Sequence, residues 1–92
     1  METSDIVKRF PGKYGWHYVE LSEELSTDLR PLINSIWPAL LRSSFKINKT
    51  EWDSSIMPIK DGPLFIALPA KIRKAENIKE GQYVNIKFEL KI

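Results

Sequence analysis

The strongest constraint on this chain lies at its end. There Val84, Ile86, Phe88, Leu90 and Ile92 alternate without a break with Asn85, Lys87, Glu89 and Lys91. In an extended chain successive side chains point to opposite faces, so this pattern predicts a strand with one face buried and one face in water. The residues leading into it are punctuated just as clearly. Asp61-Gly62 suits a tight turn because both residues tolerate positive φ, and Pro63 stiffens its exit. Leu64 to Leu68 is a continuous apolar run too short for a helix, which predicts a strand covered on both faces. Pro69 ends that run and can occupy the first position of a helix over Ala70 to Glu76, where its missing N–H would be unpaired anyway. Asn77 is then suited to a left-handed cap, and Glu80-Gly81 to the turn before the closing strand.

The earlier part of the chain reads in the same way. Met1 to Asp5 is polar and acidic and is expected to be a flexible tail. Ile6 to Phe10 predicts a short strand closed by Pro11-Gly12. Tyr14 to Leu21 predicts a second strand, with Tyr14, Trp16 and Tyr18 along one face and His17 and Val19 along the other. Ser22 is placed to cap a helix whose first turn carries Glu23 and Glu24, where carboxylates complement the helix dipole. Leu25, Leu29, Leu32, Ile33 and Ile36 recur at helical spacing, while the interior Pro31 predicts a kink or two short helices. After Trp37-Pro38 the period switches to two. Leu41, Ser43, Phe45 and Ile47 share a face, Asn48-Lys49 makes a turn, and Glu51 to Met57 returns as a less regular strand.

With 92 residues the chain has room for a single domain, residues 1–92, near the lower size limit for folding without staples. It has no cysteine, which removes disulfide frameworks and thiolate metal sites and is compatible with a cytoplasmic setting. No apolar run approaches the roughly 20 residues that span a bilayer, so no membrane association is expected. A net charge of +2 is too weak to argue by itself for nucleic-acid binding.

The chemistry-bearing residues are sparse. His17 is the one histidine, with no cysteine and no acidic cluster beside it, so neither a metal site nor a cofactor is expected. Ser43, Ser44, Ser54 and Ser55 are available hydroxyls, but none lies in a Gly-x-Ser-x-Gly elbow. Asp53 and Asp61 could act as a carboxylate pair only at a defined separation. None of the four glycines falls in a phosphate-loop spacing. No catalytic residue is assigned, and the chain is expected not to be an enzyme.

A resemblance is carried by Trp16-x-Tyr18-Val19, Phe45-x-Ile47-Asn48-x-x-x-Trp52, Asp61-Gly62 and Leu68-Pro69-x-x-Ile72-Arg73-x-x-x-x-Ile78-x-x-Gly81-x-x-Val84-x-Ile86. This order resembles a family of small domains of unknown function, found alone or fused to YdeI/OmpD-associated domains of the bacteriocin-protection type. The resemblance implies a double-split β-barrel. The segment Leu68 to Lys74 followed by Ile78 to Gly81 also resembles the looped-hinge hairpin of AbrB/MazE-type DNA-binding regulators. In both patterns an acidic residue usually follows the glycine, and here Gln82 stands there. Arg73, if it pairs with that carboxylate in the family, must find another partner, and Glu76 and Glu80 are the nearby candidates.

The expected fold is therefore mainly β, α+β by content, a small double-split β-barrel with one or two short helices. The expected function is a soluble, non-catalytic binding module for an unidentified protein or small ligand. A nucleic-acid-binding regulator is the alternative, and a small-ligand carrier or enzyme a third reading. Two surfaces stand out. One is the basic cluster Lys71, Arg73, Lys74 and Lys79 on the short helix and the turn after it. The other is the tryptophan set Trp16, Trp37 and Trp52, expected mainly in the core, with Trp52 and Arg73 bordering a common pocket.

Overall fold

The computed structural model describes residues 1–12, 15–59 and 62–91. The alternating stretch forms a strand over Tyr83–Leu90 (β7), with Val84, Ile86 and Phe88 buried and Asn85, Lys87 and Glu89 exposed. The other strands are Glu2–Ile6 (β1), Lys8–Arg9 (β2), His17–Glu20 (β3), Leu41–Ile47 (β4), Thr50–Pro58 (β5) and Leu64–Ala67 (β6). Among the described residues there are also two helices, Glu23–Asn34 (α1) and Ala70–Ala75 (α2). The seven strands form one antiparallel sheet in the order β1-β7-β4-β5-β6-β3-β2. This sheet curls into a nearly closed barrel.

Side chains close the barrel between β1 and β3. The Asp5 carboxylate accepts the Glu20 N–H at 2.9 Å, and the buried Thr3 hydroxyl accepts the Ser22 N–H at 3.2 Å. Residues 1–5, expected as a tail, thus supply most of an ordered strand, in register with β7 from Glu2↔Lys87 to Ile6↔Tyr83. A polar sequence did not prevent strand formation because β1 lies at the end of the sheet with mostly exposed side chains. The strand expected over Ile6 to Phe10 is divided instead. Val7 turns fully into the core, its N–H donates to the Gln82 carbonyl at 2.8 Å, and its carbonyl accepts from Gly81 N–H.

Inside the barrel, Val19, Phe45, Ile56, Leu64, Ile66, Ile86 and Phe88 form the centre of the buried cluster. The helix α1 adds Leu29 and Ile33 to it. Ser22 caps this helix, its Oγ accepting the Leu25 N–H. Ser26 ties it to the barrel by accepting the Leu64 N–H, and Arg30 donates to the Gly62 carbonyl at 2.7 Å. The helix is continuous through Pro31, so the expected division into two short helices does not occur. Pro31 lies near the C-terminal end, where the missing N–H removes one bond without interrupting the turns that bury Leu29 and Ile33. Leu32 and Ile36 remain partly exposed, so the apolar face is narrower than its spacing predicts.

Two left-handed residues close the connections that position β5 and β7. Asn48 in the β4–β5 turn has φ +53, and Asn77 after α2 has φ +52, as its capping role predicts. The Asp61 half of the expected Asp61-Gly62 turn, Tyr14 of the aromatic face and the terminal Ile92 lie outside the described residues.

Candidate functional site

The β3–β6 ladder stops at a proline, and that stop creates the groove. Leu68 N–H donates to the His17 carbonyl at 2.8 Å, extending the pairing by one residue beyond Tyr18↔Ala67. Pro69 has no N–H with which to continue. The chain therefore turns at Pro69, which is extended at φ −60 and ψ 152 and caps α2 rather than occupying its first helical position. Its carbonyl accepts the N–H groups of Ile72 and Arg73, each at 3.0 Å. This places the first turn of α2 beside the start of β3 and the middle of β5.

The resulting groove has a volume of about 690 Å3. Trp16, Leu40, Met57, Ala67, Leu68, Pro69 and Ala70 make its apolar wall, and His17, Ser54, Ser55 and Arg73 its polar features. Gly15 lies at the rim. A Cβ there would stand 2.3 Å from the Phe10 carbonyl oxygen and 2.9 Å from Arg9 Cζ, so only glycine fits this close to Phe10 and Arg9. Phe10 is held in turn by the 2.9 Å bond from its N–H to the Trp16 carbonyl and by stacking on Tyr18, with ring centroids 4.0 Å apart.

Arg73 is half-buried, and its Nε donates to the Leu68 carbonyl at 3.0 Å. Among the described residues no carboxylate lies within ion-pair distance of it. Sequence proximity makes Glu76 and Glu80 the candidates to replace the missing acid, and neither lies within ion-pair distance of Arg73. Glu76 is engaged elsewhere, accepting from Thr50 Oγ1 and from Asn48 Nδ2, and these bonds hold its carboxyl below the usual glutamate range. Gln82 uses its own side chain locally, its Oε1 accepting the Lys79 N–H at 3.1 Å.

His17 sits on the same strand face as core Val19, at the end of β3 where the barrel opens. Its Nδ1 is buried and has no hydrogen-bond partner. Burial, reinforced by the positive charges of Arg73 and Arg9 and opposed by Glu80, pushes its imidazole below the ordinary histidine value. The ring is therefore neutral at pH 7.

The other expected site residues are dispersed. Lys71, Lys74 and Lys79 are exposed and do not line the groove, so the basic cluster is split between Arg73 in the groove lining and three lysines outside it. Trp52 does not share a pocket with Arg73. It is half-buried beside Phe45, with ring centroids 5.4 Å apart, and borders a separate concavity of about 520 Å3 with Asp53, Lys87 and Glu89. Like His17 Nδ1, its Nε1 is buried without a partner. The expectation of a tryptophan core fails for the other two, since Trp16 is 54 % and Trp37 93 % exposed. The buried cluster consists instead of aliphatic side chains together with Phe45 and Phe88, with Trp52 packed against it. Asp53 accepts from Ser44 and Lys91 on the outer face, away from the groove.

His17 carries little functional weight in the sequence, although it lines this groove. The signal that could have found it is the Leu68-Pro69 stop, which marks where a neighbouring strand loses its partner. Among the described residues no group of three or more His, Cys, Asp or Glu side chains is placed to hold a metal ion, and no helix is long and apolar enough to cross a membrane.

The family described as Domain of unknown function (DUF1905) matches residues 5–88, a span that takes in every residue lining the groove. No curated protein matches the chain.

Proposed function

We propose that this chain, which belongs to the DUF1905 family, is a non-catalytic binding module of the cytoplasm, and that the groove between β3, β5 and α2 is its binding surface. One observation carries the reading. The Arg73 guanidinium lines an amphipathic groove without a carboxylate partner among the described residues, beside a histidine whose Nδ1 is also unpartnered. Buried and half-buried polar groups in native folds are nearly always paired, and a concave apolar surface with a few convergent polar groups is the usual form of a ligand site. The absence of cysteine is compatible with the cytoplasmic part.

A thermal-shift screen against a metabolite collection tests the reading. Binding compounds should raise the melting temperature of the unaltered protein and lose that effect in Arg73→Ala. A flat response across the collection counts against the module, and His17-dependent turnover of a bound compound counts against its being non-catalytic.

The nucleic-acid reading is second, supported by the exposed Lys71 and Lys74 on α2. That helix has six residues, a rise of only about 9 Å, short for reading a groove in DNA. Salt-dependent mobility shifts of DNA that weaken in Lys71→Glu with Lys74→Glu would reinstate it.

A further inference from the structure

Building on the reading of this groove as a ligand site, we infer that it selects an amphipathic monocarboxylate, an acyl or aryl acid, with the carboxylate end-on at Nη1 and Nη2 of Arg73 and the apolar body against Trp16, Leu40 and Met57. The orientation follows from Arg73. Its Nε already donates to the Leu68 carbonyl at 3.0 Å, which sets the guanidinium plane and leaves its two terminal amino groups without an acceptor among the described residues. That remaining edge is a planar fork matched to the two oxygens of a carboxylate.

The charge around the fork suits one negative charge better than two. Arg73 is the one cationic side chain in the groove lining among the described residues, and Arg9 stands next to the rim at Gly15. The Glu80 carboxylate acts on the same region with the opposite sign. His17, held neutral by burial and by the two arginines, adds a polar atom without adding charge. The exposed Lys71 and Lys74 that a phosphate dianion would attract do not line the groove.

Size and wall chemistry define the rest of the ligand. About 690 Å3 lies within the range of roughly 300 to 1,000 Å3 typical of small-molecule sites. Trp16 and Leu40 leave 54 % and 42 % of their surface uncovered, apolar area that an alkyl chain or aromatic ring would remove from water.

The test is a set of NMR titrations of the intact protein with octanoate, phenylacetate and indole-3-acetate, each beside its uncharged amide, and with octyl phosphate. The Arg73 Nε–H, the Trp16 indole N–H and the His17 ring are observed. At least one acid should bind saturably, move all three signals and bind tenfold or more tighter than its amide. Arg73→Met should reduce that acid-over-amide preference to less than twofold. If this variant does not fold, the Arg73 Nε–H shift in the unaltered protein decides. Equal binding of acids and amides, or tighter binding of octyl phosphate than of octanoate, overturns the carboxylate assignment but leaves the groove a ligand site. Failure of every probe to move these signals overturns both.

Discussion

Between β4 and β5 seven residue pairs run in register from Leu41↔Ile56 to Ile47↔Thr50, and β7 continues the ladder on the other side of β4 with Phe45↔Phe88 at its centre. Between β1 and β3 no backbone ladder is formed among the described residues, and Thr3 and Asp5 bridge the gap with their side chains. The first region satisfies its backbone through regular pairing and buries its alternate residues. The second depends on individual polar groups, one of them titratable. β3 is reached by these side chains only at its far end, Glu20 and Ser22, whereas its beginning, paired to β2 at Arg9↔His17, borders the groove with the unpartnered His17 Nδ1. Stability is concentrated where pairing is regular, and chemical availability where pairing stops.

The largest effect should come from the ladder. Phe45 is 1 % exposed and touches Trp52 and Phe88, so Phe45→Ala should cost about 3 to 5 kcal/mol in urea denaturation. A loss below about 1 kcal/mol would break the assignment of stability to this region.

The seam should respond less, and with a pH signature. Asp5→Asn should cost about 1 to 2 kcal/mol at neutral pH by weakening the acceptor for Glu20 N–H and removing the 2.7 Å ion pair with Lys8. Burial pushes the Asp5 carboxyl up, but the bonds from Lys8 and from the Glu20 and Ile6 N–H groups outweigh it and hold the carboxyl below its ordinary value. A carboxyl depressed in the folded state contributes stability that is complete above its unfolded value and is lost as pH falls through the folded value. Unaltered protein and Asp5→Asn should therefore converge in stability as pH drops below the ordinary aspartate range. Denaturation profiles that stay parallel across that range would remove the carboxylate from the closure.

The groove should respond least, and in the opposite direction. His17→Phe replaces a ring nitrogen that has no partner, so stability should hold steady or rise by up to about 1 kcal/mol in the same denaturation assay. A clear loss would show that His17 supports the barrel rather than standing ready for a ligand.

The ladder was also the more legible region. Alternation in Leu41 to Ile47 and in Val84 to Leu90 predicts which side chains are buried, because the strand period is a local property. Asn48, Asn77 and Gly81 announce the turns through their tolerance of positive φ, which each of them adopts. The seam was not legible. Nothing local to Met1–Asp5 indicates that Thr3 and Asp5 meet Ser22 and Glu20, since those bonds exist only once the sheet has curled. Trp16 and Trp37 misled for a related reason. Size makes tryptophan a core candidate, but whether a core has space for it depends on how aliphatic residues from distant strands fill the barrel.

The closing strand, the short helix behind Pro69 and the mainly β class were determined by sequence alone, because period, proline and turn chemistry act over a few residues. The sequence also singled out Arg73, through a family pattern whose acidic position holds Gln82. Tertiary structure alone decided what Arg73 faces. Glu76 is drawn away to Asn48 and Thr50, Gln82 turns to Lys79, and the end of the β3–β6 ladder brings His17 and the uncovered face of Trp16 into the same groove. Those encounters join residues far apart in the chain, and no local rule of periodicity or punctuation reaches across the barrel to arrange them.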